Sequence, residues 1–137
     1  MISVTSATDR YIVQPTLLNK HRKTLEWLSS AVLWKHELAF FQKLLDQYAQ
    51  KFSAAEDKQK IEYFQNIILY YRGELINELT GKLRLHEKKL ADMLERKDES
   101  KIEYFREHDA IMNELESFSR QFIQYKEEFF EFIEKAM

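Results

Sequence analysis

Apolar residues recur at steps of three and four along most of this chain, and that periodicity predicts helices. The most regular stretch comes last. His108, Ile111, Leu115, Phe118, Phe122, Tyr125, Phe129, Phe132 and Ala136 alternate the two steps without a fault. In the first third, Trp34, Leu38, Phe41, Leu45, Tyr48 and Phe52 draw the same kind of stripe. The middle stripe reads Ile61, Phe64, Ile68, Tyr71, Leu75, Leu79, Leu83, His86, Leu90 and Met93. Its consecutive steps of four through Leu83 displace the seam, as a stutter does in a coiled coil. Gly73 and Gly81 fall in or beside that region and mark it for a kink or break.

The breakers set the ends. Proline occurs once, at Pro15, and Gly73 and Gly81 are the only glycines. Helix one is expected from near Thr16 to about Phe52. Ser53 with Glu56 then spells a capping box for helix two, which runs to about Arg96. Asp98, in the turn KDES, is the expected cap of helix three. Each helix would be on the order of 55–60 Å long at 1.5 Å per residue. Short connections force antiparallel neighbours. The predicted fold is therefore all-α, an elongated antiparallel up-down-up three-helix bundle with coiled-coil-like packing. A four-helix bundle with a break near Gly81 is the alternative. Residues 1–15 are expected to be an N-terminal extended or irregular segment, and residues 16–137 a single helical bundle domain.

Two patterns sit outside the seams. KIEYF occurs at Lys60–Phe64 and again at Lys101–Phe105, where both helices need an apolar anchor soon after their caps. Apolar residues also exceed what one seam requires: Ile67–Tyr71 form an unbroken run, and Phe40 and Phe130 adjoin seam positions. Apolar character all round a helix means contacts on more than one side: either the first fifteen residues cover that surface or a second subunit or partner helix does, and a homodimer is the expectation.

Composition narrows the functional classes. With no cysteine among 137 residues, disulfides and thiolate metal sites are excluded, and a cytoplasmic setting fits. A formal net charge of −2 gives no reason to expect nucleic acid. No apolar run reaches membrane-spanning length, and the first residues lack the pattern of a signal peptide. Charge is unevenly placed: residues 16–52 sum to +3, residues 57–96 to +1 and residues 98–137 to −6. A basic first helix and an acidic third helix favour lying side by side.

The histidines supply the candidate chemistry. A second turn centred near residue 97 sets His86 opposite His108, and a first turn centred between residues 54 and 55 brings His21 to the same level. His86 and His108 lie on core stripes, and His21 lies on one with Leu18, Leu25 and Leu28. Three imidazoles in one apolar layer suit a divalent metal (zinc, iron or manganese), with haem a weaker fit. Glu87, Glu107 and Asp109 each adjoin a histidine in sequence and so point away from it. They are better placed to hydrogen-bond a ligating histidine than to ligate. His36 lies off every stripe and is expected to face solvent.

The text EHDAIMNELESF, followed by FIQYKEEFFEFIEKAM, resembles hemerythrin-like domains, which hold a di-iron centre in a helical bundle. That resemblance implies a ligand role for His108. Ile123, Gln124 and Tyr125 stand where that family places a histidine before its paired glutamates, here Glu127 and Glu128. The whole chain is also similar to small uncharacterised bacterial all-helical proteins, a resemblance that implies no activity. No Ser-His-Asp arrangement and no Gly-rich phosphate loop is readable. The sequence thus points first to a non-enzymatic helical interaction or scaffold module, and second to a metal-binding bundle. A carrier of an apolar ligand among the aromatic residues is a third reading.

Overall fold

The computed structural model describes residues 7–137, and the protein is all-α. A short 3-10 turn, Ala7–Tyr11, precedes the first long helix, α1 (Pro15–Tyr48). Pro15 opens α1 because its locked φ and missing N–H suit a first helical position. After a 3-10 turn at Ala49–Lys51 comes α2 (Ala55–Tyr70), then one π-helical turn, Tyr71–Leu75, then α3 (Ile76–Glu95). The last helix is α4 (Ile102–Glu134). No helix among the described residues is long and apolar enough to cross a membrane. Residues 1–6 of the expected N-terminal segment lie outside the described residues.

Two compact units can be distinguished. One comprises the described residues up to Val32 together with Glu78–Glu116, and the other Leu33–Asn77 together with Ser117–Met137. The core of the first unit holds Ile12, Leu17, Leu90, Met93 and Tyr104, flanked by Leu18, Leu94 and Phe105. Rings fill the second unit: Phe41 meets Phe122, Tyr125 and Phe129, while Phe64 meets Tyr125, Phe129 and Phe132.

The displaced middle seam is resolved by the π-turn. Leu75 is only half-buried, and Ile76 takes the core position with no exposure at all. Buried positions now run Phe64, Ile68, Tyr71, Ile76, Leu79, Leu83, His86, Leu90 and Met93. A single step of five, spanning the π-turn, restores the alternation of three and four on both sides. A π-turn places one extra residue in the helix, which absorbs the stutter locally. Asn77 Nδ2 donates to the Gly73 carbonyl across this turn at 3.2 Å. α3 then passes through Gly81 without interruption.

Both expected caps are replaced. The N-cap of α2 is Ala54, with no side-chain cap bond, in place of Ser53. Burial of Phe52, stacked on Phe132 at 4.4 Å, sets the chain direction there. Asp98 caps a loop turn instead of α4, accepting from the Ser100 N–H at 3.1 Å. Just before it, Lys97 adopts φ 57°, and the Asp98 and Lys97 N–H groups bond back to the Met93 and Leu94 carbonyls. This is a Schellman closure of α3, with lysine where glycine is usual. The two KIEYF segments also differ: Phe64 is the buried residue of the first, Tyr104 of the second. The repeat is not one anchor used twice.

Candidate functional site

In the first unit the histidines become the central feature. His21, His86 and His108 are all buried, together with Thr24, whose hydroxyl donates to the Lys20 carbonyl at 3.1 Å. α1 therefore turns inward Leu17, His21, Thr24 and Ala31, leaving Leu18, Leu25 and Leu28 half-buried at its margin. Threonine is tolerated inside because the backbone bond satisfies its hydroxyl. His36 is exposed, as its position off the stripes suggested.

His86 and His108 meet directly, with Nε2 of the first 3.0 Å from Nδ1 of the second. His86 Nδ1 lies 3.0 Å from Glu107 Oε1. A carboxylate only accepts, so Nδ1–H of His86 donates to Glu107, and a neutral ring leaves its Nε2 to accept from His108. Lys89 reaches the other oxygen of Glu107. The ring of Tyr104 lies flat on His86, with centroids 4.0 Å apart and planes 7° apart. Tyr104 is buried too, and among the described residues its hydroxyl has no hydrogen-bond partner.

His21 turns to a different set. Its Nδ1 stands 3.0 Å from Glu87 Oε1 and its Nε2 3.2 Å from Asp9 Oδ1, with Arg22 on the second oxygen of Asp9. Two of the three sequence-adjacent carboxylates thus serve a histidine on another helix: Glu87 serves His21 and Glu107 serves His86. Asp109 faces outward, 3.9 Å from Lys20. The two nitrogens of His86 and the two of His21 all meet hydrogen-bond partners. Among the described residues no group of three or more His, Asp or Glu side chains is arranged to hold a metal ion.

Electrostatics keep the buried rings neutral where they meet. Burial pushes the His108 imidazole down to about 4, aided by His86 and Lys20. Burial also lowers His86, with Glu107 opposing. Burial alone would raise the Glu107 carboxyl, but hydrogen bonds from Lys89 and His86 hold it below the ordinary carboxylate range. The Tyr104 phenol is pushed far up by burial and by Glu87 and Glu107. Sequence reasoning placed the three histidines but missed two of their partners. Tyr104 had a signal, its spacing of four residues from His108. Asp9 had none, because it precedes every periodic stretch.

The second unit presents a different feature, an apolar surface on α1 and α4. Lys126 pairs with Glu37 at 3.0 Å, tying the two helices together. Four large apolar side chains flank that pair at helical spacings of three and four: Leu33 and Phe40 on α1, Ile123 and Phe130 on α4. They are 60%, 53%, 51% and 39% exposed, so all four stay in contact with water. Phe130 meets Phe41 edge-on at 5.3 Å, and Phe41 meets Phe40 at 6.4 Å, which joins the two sides of the patch. Elsewhere in this unit a groove of about 360 Å³ runs over Phe64 and Phe132, lined by Lys60, Tyr63, Glu128, Glu131 and Lys135.

Comparison with protein-family models, with curated protein sequences and with solved structures finds no match, so these residues are interpreted from their own geometry.

Proposed function

We propose that this protein is a non-enzymatic helical association module, folded as an up-down-up bundle with coiled-coil-like seams, which works by packing its outer helix faces against other helices. The observation that carries this reading is the patch of Leu33, Phe40, Ile123 and Phe130 around the Glu37–Lys126 pair. Scattered single apolar residues on a surface need no explanation, but a grouped patch with a polar centre and charged margins marks an interaction site. The buried histidine network supports the same reading from the inside. Its rings are sealed by neighbouring side chains and hydrogen-bonded to one another and to carboxylates. Its role in this reading is to fix which helix faces meet, as a buried polar contact fixes register in a coiled coil.

The test is the association state across concentration. Sedimentation velocity on the wild type should show reversible association in the micromolar range. The Phe40→Glu/Phe130→Glu variant should remain monomeric and keep its helical circular dichroism, since both side chains are already wet. A wild type that stays monomeric at 200 µM, and that binds no amphipathic helix better than the variant does, rejects the proposal.

A further inference from the structure

We infer that the α1–α4 patch of the second unit binds the same patch of a second copy, with the two copies parallel and α1 of one lying over α4 of the other. This rests on the association reading above and commits it to a partner and a geometry.

The argument starts from the directions of the helices within this unit. Trp34 meets Phe118, Phe41 meets Phe129 and Phe52 meets Phe132, so contact positions rise together and α1 and α4 run the same way. A face made of two parallel helices can meet its own copy about a two-fold axis in two ways. With the axis along the helices, α1 lies over α4 of the second copy. With the axis across them, α1 lies over α1 and α4 over α4, antiparallel.

Charge decides between the two. Beyond the apolar stripe of α1, three residues after Phe40, stands Lys43. Beyond the stripe of α4, four residues after Ile123 and three before Phe130, stands Glu127, with Glu134 one stripe position further on. Lys43, Glu127 and Glu134 are exposed, and among the described residues no ion pair engages them. The antiparallel arrangement sets Lys43 toward Lys43 and the acidic flank toward the acidic flank. The parallel arrangement sets Lys43 toward Glu127 of the second copy, twice per dimer. Like charges across an interface are strongly selected against, so the parallel arrangement is the one this surface is built for.

The heights agree. The Glu37–Lys126 pair and the contact of Phe41 with Phe129 place Phe40 level with the interval between Ile123 and Phe130. A two-fold axis along the helices leaves every residue at its own height. Phe40 of one copy therefore enters the gap between Ile123 and Phe130 of the other, a knob meeting its hole.

Charge reversal separates this arrangement from its alternatives. Lys43→Glu and Glu127→Lys should each weaken self-association by roughly tenfold in sedimentation equilibrium, because each makes two like-charged contacts. Mixing the two variant chains should restore association to within about threefold of wild type, since every facing pair is then opposite in charge. The double variant Lys43→Glu/Glu127→Lys should be restored in the same way. Both residues are exposed and have no ion pair among the described residues, so unchanged thermal unfolding of the dilute proteins is expected and excludes misfolding as the cause. If association is abolished by Phe40→Glu/Phe130→Glu yet indifferent to either charge reversal, the parallel arrangement is wrong while the association reading stands. Association that is indifferent to all these variants uses another surface and overturns the inference. A monomer throughout, with no affinity for any amphipathic helix, removes both.

Discussion

At the scale of single residues, two buried tyrosines make opposite predictions from the same chemistry. Tyr125 donates its hydroxyl to the Phe64 carbonyl at 3.0 Å, whereas the buried Tyr104 hydroxyl has no partner among the described residues. A buried polar group is costly when unsatisfied and modestly favourable when bonded. Tyr125→Phe should therefore destabilise by about 1 kcal/mol, and Tyr104→Phe should stabilise by about 1 kcal/mol, as read from urea unfolding. The histidine pair predicts a pH dependence. The His108 imidazole, ordinarily near 6.5, is held down to about 4 by burial, His86 and Lys20. Between those two values the unfolded chain binds more protons than the folded one, so stability falls as pH falls. The contribution is complete above about pH 6.5, declines toward pH 4, and amounts to about 3 kcal/mol for this group. His86 shifts in the same direction and adds to the effect. Chemical denaturation of wild type and His108→Gln between pH 7.5 and 4.5 checks it: the variant should lose less stability over that interval.

At the scale of elements, the π-turn and the end of α3 carry the tests. If Tyr71–Leu75 exists to absorb one surplus residue, deleting Gly73 should convert it to an ordinary turn and leave both flanking seams in place. The deletion variant should fold and melt within a few degrees of wild type. Deleting Asn66 instead, between Phe64 and Ile68, should rotate one core position out of line and abolish cooperative melting. Glycine itself is misplaced on grounds of stability. Gly81 lies in the exposed interior of α3 with open space where a Cβ would stand, so Gly81→Ala should add about 0.5–1 kcal/mol. Lys97 holds a left-handed conformation that glycine adopts freely, so Lys97→Gly should add a similar amount, about 1 kcal/mol. Additive gains in the double variant, seen by thermal melting, would show that the two sites are independent.

At the scale of the whole molecule, the predictions concern what the protein binds. The buried histidines are hydrogen-bonded to one another and to carboxylates. Stoichiometric zinc, iron or manganese should therefore leave the melting temperature of wild type within about a degree of the metal-free protein. A ligand that binds the folded state well above its Kd stabilises it by several kcal/mol. A rise of several degrees that disappears in His86→Ala/His108→Ala would establish a metal centre instead. The surface predicts the converse, that stability of the assembled form grows with protein concentration.

Much of this was legible in the chain because helices carry their pattern locally. The unbroken stripe from His108 to Phe132 appears intact as the buried line of α4, and the single proline marked where α1 begins. Even the irregularity of the middle helix was audible as repeated steps of four. What the pattern could not say was how the chain would relieve it. Ile76 replaced Leu75 inside because a π-turn costs less than a misaligned core, and that comparison involves the neighbouring helices. The histidines follow the same division. Their burial followed from position on the stripes, and His86 facing His108 followed from turn lengths. Their partners did not. Glu87 reaching His21, Glu107 reaching His86 and Asp9 closing over His21 join residues far apart in sequence. A hydrogen bond forms where acceptor and donor meet within about 3 Å, a distance set by packing and invisible to spacing along one helix. The amino-acid order determined which faces are apolar, and tertiary structure decided which of them remain in water.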